Sequence, residues 1–125
     1  MRQRARERNA NTIDCAADPA SIAAALARIP YAGFLGLRPE VADGQVTLIL
    51  PYSEHLIGNP LLPALHGGAM MTFADYCLFA LASRELAGPG ITVSFACEFL
   101  DAGKVGDLIE CDGEMTRIGG SLIFL

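Results

Sequence analysis

Leu65-His66-Gly67-Gly68-Ala69-Met70-Met71-Thr72-Phe73-Ala74-Asp75 decides how this chain is read. A histidine and two glycines stand where a helix begins, and one carboxylate follows about two turns later among apolar residues. The free N–H groups at a helix start can hold developing negative charge. A carboxylate among Met71, Leu78 and Phe79 is costly unless it has a partner or a task. Together the two features point to chemistry on a carbonyl group. From His66 to Leu86 the apolar spacing predicts one long helix. Met70, Ala74, Cys77, Leu78 and Leu81 form one apolar stripe, and the flank of Met71, Asp75, Phe79 and Ala82 is nearly as apolar. A helix apolar on almost every side is a central, buried one.

Working outward, Asp18-Pro19 is a helix start, and Ala20 through Arg28 reads as a short helix that Ile29-Pro30 ends. Tyr31 to Val41 reads as extended, Ala42-Asp43-Gly44 as a turn, and Gln45 to Leu50 as a strand with Val46, Leu48 and Leu50 on one face. Pro51 to Leu65, with three prolines and Gly58, reads as a loop. After the long helix, Ile91 to Leu100 alternates cleanly, with Ile91, Val93, Phe95, Cys97 and Phe99 on one face. Asp107 to Arg117 and Ser121 to Leu125 read as a hairpin around Gly119-Gly120. The expected class is α+β, an antiparallel sheet wrapped around one long central helix. The far side of that helix then calls for a second subunit.

Composition sets the frame. A chain of 125 residues, 52% hydrophobic and 18% charged, is one domain with a core of its own. The mean hydropathy, +0.37, is high for a monomer and points to a partner interface. Arg2, Arg4, Arg6 and Arg8 crowd the first eight residues, leaving five basic against thirteen acidic residues from position 10 onward. An acidic body argues against nucleic acid, and the basic start reads as a frayed terminus. The expected division is residues 1–17 as a flexible N-terminal segment and 18–125 as the domain. Cys15, Cys77, Cys97 and Cys111 show no CxxC spacing, and His55 and His66 are the only histidines, which argues against a metal site. The last three of these cysteines read as reduced core thiols, as in a cytoplasmic protein. No membrane segment is expected, because Pro63, His66, Gly67, Gly68 and Asp75 interrupt the apolar run from Leu61 to Ala82.

Leu65-His66-Gly67-Gly68 followed by Ala74-Asp75 resembles the hotdog-fold acyl-CoA thioesterases, most closely the phenylacetate-pathway (PaaI-like) and acyl-CoA thioesterase 13-like type. The resemblance covers roughly residues 30 to 125. It implies the hotdog fold, hydrolysis of an acyl-CoA, no cofactor beyond the coenzyme A of the substrate, and a homodimer or homotetramer. Position by position, it implies that Asp75 is the catalytic carboxylate, nucleophile or general base. Gly67 then supplies the backbone N–H that holds the thioester oxygen, and His66 orients the carbonyl or the site loop. Asn59 is the candidate for the water-positioning asparagine, and Thr92 falls where a hydroxyl can touch the attacking water. Gly68 lets the acyl group approach the backbone, Met71 and Phe79 suggest an apolar or aromatic tail, and Arg117 is left to meet coenzyme A phosphates. The acid and the glycine of one site come from two subunits in that family. The family fold also carries one more strand beyond Leu125. Each residue has a plainer reading: a paired helix acid for Asp75, a cap for His66, a turn for Asn59, a strand residue for Thr92 and a surface charge for Arg117. The alternative functions are a non-catalytic acyl-CoA-binding or sensing domain on the same fold and, less consistent with the spacing, a hydroxyacyl dehydratase.

Overall fold

The computed structural model describes residues 20, 24, 26–42, 45–82, 85 and 90–125. Residues 20, 24, 26 and 27 of the expected helix from Ala20 to Arg28 are helical, and positions 21–23 and 25, the flexible segment 1–17 and positions 43 and 44 of the expected turn lie outside the described residues. The first complete helix, α1, is Pro30–Leu35. This corrects the reading of Tyr31 onward as extended, while the turn at Arg28 and the bend at Ile29 do end the preceding helical residues where Ile29-Pro30 was expected to. Ile29 is the extended N-cap and Pro30 opens the helix, because proline has no N–H to leave unpaired and its φ is already helical. Gly36 closes α1 at φ +71°, in the left-handed region, so that the N–H groups of Gly36 and Leu37 turn back to the carbonyls of Gly33 and Ala32. Ala32 and Leu35 are buried against the core.

Strands β1, Arg38–Ala42, and β2, Gln45–Pro51, pair antiparallel from Arg38↔Ile49 to Ala42↔Gln45, as the alternation and the turn signal require. Leu50 faces the core at 0% exposure, yet its neighbour Ile49 is equally buried, so β2 is covered on both faces at this end. Its other edge is taken by β5, Leu108–Glu110, through Ile49↔Glu110, Leu50↔Ile109 and Pro51↔Leu108.

Pro51 to Leu65 is not a loop throughout. A 3-10 turn at Glu54–Leu56 leads into a hairpin of β3, Ile57–Asn59, and β4, Leu62–Leu65. Pro60 lies in its turn and Pro63 in the short strand β4, where a missing N–H is tolerated. His55 ties this stretch to α1: its Nε2–H donates to the Phe34 carbonyl at 2.7 Å, and its Nδ1 lies 2.6 Å from the Ser53 hydroxyl.

Helix α2, Gly67–Ala82, is the long helix that the sequence requires. Its buried stripe is Ala69, Phe73, Cys77 and Leu81, with Ala82. That is one position round from the expected stripe, since Met70, Ala74 and Leu78 are only half-buried. On a helix apolar on nearly all sides, the residue pattern does not select the inward face; the fit against Leu50, Leu65, Leu56 and Leu35 does.

The sheet is less continuous than expected. Among the described residues the pairings form a three-stranded ladder, β1-β2-β5, and two separate hairpins, β3-β4 and the pair of β6, Arg117–Ile118, with β7, Ile123–Phe124. The last hairpin turns at Gly119-Gly120 as read. Ile91 to Leu100 has no ladder partner among the described residues, so its expected strand character is not realised there. Three of its apolar residues are well uncovered: Ile91 is 85%, Val93 75% and Leu100 92% exposed. Cys97 is exposed too and is therefore not a core thiol, unlike Cys77.

Candidate active site

The start of α2 shows how the histidine-glycine-glycine phrase works. His66 is the N-cap: its Nδ1 accepts the Gly68 N–H at 2.9 Å, and its carbonyl accepts the N–H groups of Ala69 and Met70. A neutral ring with an accepting Nδ1 carries its proton on Nε2. The His66 N–H is itself held by the Leu56 carbonyl at 2.7 Å. Gly58 makes room for this arrangement, because a Cβ there would stand 2.9 Å from the His66 ring and 3.1 Å from its Cα. With the second, third and fourth N–H groups engaged, the Gly67 N–H is the one at the helix start without an acceptor among the described residues. A free backbone donor on the positive end of a sixteen-residue helix is suited to an oxyanion.

Asp75 lies half-buried on the same helix. The Thr92 hydroxyl donates to its Oδ1 at 2.7 Å, fixing one oxygen and leaving the other for a second donor. The segment 91–100 therefore meets α2 with Thr92 at the level of Asp75. Seven residues on, it reaches the helix start: the ring of Phe99 covers Gly67, where a Cβ would meet Cζ at 2.9 Å and Cε1 and Cε2 at 3.2 Å. Thr92 and Phe99 would lie on opposite faces of a regular strand, so the segment must turn between them to present both to the helix.

Eight residues separate Gly67 from Asp75, about 12 Å along the axis and about 80° around it. A donor and a nucleophile acting on one carbonyl each stand within about 3–3.5 Å of it. Within a single chain these two groups do not converge in that way.

The remaining candidates are not gathered here. Asn59 sits at the β3-β4 turn, where its Oδ1 accepts the Leu61 N–H at 2.9 Å, and no hydrogen bond joins it to His66 or Asp75 among the described residues. Arg117 is exposed on β6, its guanidinium 6.0 Å from the centre of the Phe124 ring. Gly68 and Met71 are half-buried on the first turns of α2, and Phe79 is exposed near its other end. Phe99 and Gly58 were not singled out by sequence reasoning. A glycine inside a short strand does signal a close backbone approach, and that could have found Gly58. Nothing local pairs Phe99 with Gly67, 32 positions away.

Residues 62–125, just over half of the chain and including His66, all of α2 and the segment 91–100, match the thioesterase superfamily. The chain belongs to the thioesterase superfamily. No curated protein and no solved structure gives a significant match. Membership implies the hotdog architecture, consistent with antiparallel ladders beside one long helix, and it points to thioester hydrolysis as the general chemistry. In this thioesterase-superfamily chain no helix among the described residues is long and apolar enough to cross a membrane.

Proposed function

We propose that this chain is an acyl-CoA thioesterase of the PaaI-like type, hydrolysing an aromatic or medium-chain acyl-CoA to the free acid and coenzyme A. The observation that carries the proposal is the Asp75 carboxylate held at 2.7 Å by Thr92 on a helix whose first N–H, that of Gly67, has no acceptor among the described residues. In this reading Asp75 takes a proton from water as the water oxygen attacks the carbonyl carbon, or attacks that carbon itself. The carbonyl oxygen becomes an oxyanion on the Gly67 N–H, and the carbon–sulfur bond then breaks to release the thiolate; where Asp75 was the nucleophile, water then cleaves the resulting mixed anhydride to the free acid and restores the carboxylate. One preset donor of this kind is worth roughly a hundred- to a thousandfold in rate. His66 holds the loop in place as the cap and offers its Nε2–H towards the substrate. Met71 and Phe79 give the acyl tail an apolar wall, and Arg117 meets a phosphate. Asn59 takes the turn role, not the water-positioning one.

The separation of about 12 Å between Gly67 and Asp75 favours a site built by two copies, the glycine of one facing the acid of the other. The uncovered apolar side chains of Ile91, Val93 and Leu100 fit burial against that second copy. The test is free-thiol release from a panel of acyl-CoAs, with native mass measured in parallel. Wild type should turn over at least one substrate as a dimer or tetramer, and Asp75→Asn should lose at least a hundredfold in kcat. Full activity in Asp75→Asn, or an active monomer, refutes the assignment. Micromolar binding without turnover favours the sensing-domain alternative.

A further inference from the structure

We infer that Phe99 selects the acyl group at the Gly67 donor: its ring is a flat wall beside the bound carbonyl that admits an unbranched α-carbon and turns away a fully substituted one. The inference rests on the proposed thioester hydrolysis and names a feature of the substrate within it.

Gly67 does not have a positive φ, so its backbone makes no demand for glycine. The demand comes from Phe99. A Cβ at position 67 would meet Cζ at 2.9 Å and Cε1 and Cε2 at 3.2 Å each. The two Cε distances are equal, and they exceed the Cζ distance by only what one ring bond at right angles adds. That point therefore lies over the face of the ring, at its Cζ end, and the ring lies flat against the first residue of α2. Cα–Cβ bonds in a helix tilt toward its N-terminus, the end at which the first N–H groups are left free. The ring and any acceptor of the Gly67 N–H thus share one end of α2. The Gly67 nitrogen stands about 2.5 Å from its own Cβ position, which puts Phe99 Cζ at most about 5.4 Å from that nitrogen. A carbonyl oxygen taking this N–H stands about 2.9 Å from it, with the carbonyl carbon one bond beyond. The next carbon of the acyl group then comes into van der Waals contact with the ring.

Core packing does not account for this ring, because Phe99 is 51% exposed and half of it is left for a ligand. The ring neither gives nor takes a proton, so it makes and breaks no bond; it acts on the carbon beside the carbonyl. An α-methylene group lays a C–H against the ring face, which carries the negative side of the aromatic quadrupole. Where both α-hydrogens are replaced by methyl groups, one methyl must point at the ring whichever way the acyl tail turns. The ring belongs to the segment whose Thr92 holds Asp75. In a site shared by two copies, the wall therefore comes from the chain that supplies Gly67, and the Thr92-held acid from the other.

The test measures kcat and KM by free-thiol release from hexanoyl-CoA and from its isomer α,α-dimethylbutanoyl-CoA. It compares the full chain with Phe99→Ala, Phe99→Leu, Phe99→Tyr and Asp75→Asn. The intrinsic hindrance of the branched acyl group is the same for every variant and cancels when preferences are compared. Wild type should prefer the straight chain, and Phe99→Ala should narrow that preference in kcat/KM roughly tenfold or more. The change should come from a higher KM for hexanoyl-CoA and a higher kcat for the branched isomer. Phe99→Leu lacks the Cε and Cζ atoms that lie on Gly67 and should move the preference the same way; it carries the test where Phe99→Ala does not fold. Phe99→Tyr keeps the ring and should keep the preference. An unmoved preference in the Ala or Leu variant, with Asp75→Asn inactive, overturns the inference and leaves the hydrolysis reading standing. An equal fall for both substrates also overturns it, since the ring would then act on the fold or on the sulfur side of the thioester. No thiol release by wild type from either acyl-CoA overturns the inference together with the hydrolysis reading.

Discussion

Gly67→Ala isolates what the first residue of α2 is required to be. Its backbone is helical, so the demand for glycine comes from the space its Cβ would need. That Cβ would fall 2.9 Å from Phe99 Cζ and 3.2 Å from both Cε atoms. Ordinary carbon contacts lie near 3.5–4.0 Å, so the closest pair is about 0.6–1.1 Å too near. Inserting a methyl into a closed site costs typically about 1–3 kcal/mol. Phe99 is 51% exposed and can swing aside, which places the cost near the low end, about 1 kcal/mol. Alanine at a helix position recovers a few tenths of this relative to glycine. The net destabilisation expected from urea denaturation is therefore about 0.5–1 kcal/mol. Acyl-CoA hydrolysis should fall by more than this, because the new methyl and the displaced ring both crowd the approach to the Gly67 N–H. The decisive comparison is a double-mutant cycle with Phe99→Ala. In that background Gly67→Ala should cost no stability, giving a coupling energy of about 1 kcal/mol. An equal cost with and without the ring would refute the reasoning and return the glycine requirement to the backbone itself.

Other expectations follow from the same geometry. His66→Ala removes the cap on the Gly68 N–H and should cost about 1 kcal/mol of stability, while His66→Asn, which can still accept that bond, should recover most of it; equal losses in the two variants would deny the capping role. Phe73 is 2% exposed at the centre of the core, so Phe73→Ala should destabilise by about 3–5 kcal/mol, whereas Phe79→Ala on the exposed side of α2 should cost well under half as much. Thr92→Val keeps the shape but removes the donor to Asp75, and it should lower kcat for thioester hydrolysis roughly tenfold with little change in fold stability. Because its folded pKa is depressed, Cys111 should keep its alkylation rate to a lower pH than an unperturbed thiol, read by mass spectrometry across a pH series, while buried Cys77 stays unmodified in the folded chain.

Much of the helix-centred half was legible because its signals are local. The His66-Gly67-Gly68 start works through a ring that caps a group two residues away, and the periodicity from Gly67 to Ala82 needs no distant partner. The hairpins at 42–45 and 118–123 were readable for the same reason: turn residues flanked by alternating ones. The stop at Ile29-Pro30 was legible but the helix from Pro30 to Leu35 was not, because proline both stops helices and starts them, and a new one forms only where the residues that follow find a core, here through Ala32 and Leu35. The prolines between Pro51 and Leu65 masked a hairpin whose short strands lack the length that reveals alternation. The alternation from Ile91 to Leu100 was plain, yet an extended segment becomes a strand only where a neighbour offers its backbone groups, and none in the described chain does.

By itself, then, the sequence determined the long helix, its capped and glycine-marked start, the acid two turns along and the α+β class, because each depends on groups within a few residues of one another. The tertiary structure alone decided which side of that helix faces inward, since a helix apolar all round is oriented only by what packs on it. It also decided that Thr92 reaches Asp75 and that Phe99 lies over Gly67. Those partners stand 17 and 32 positions apart, and chain separation carries no record of contact until the fold closes the loops between them.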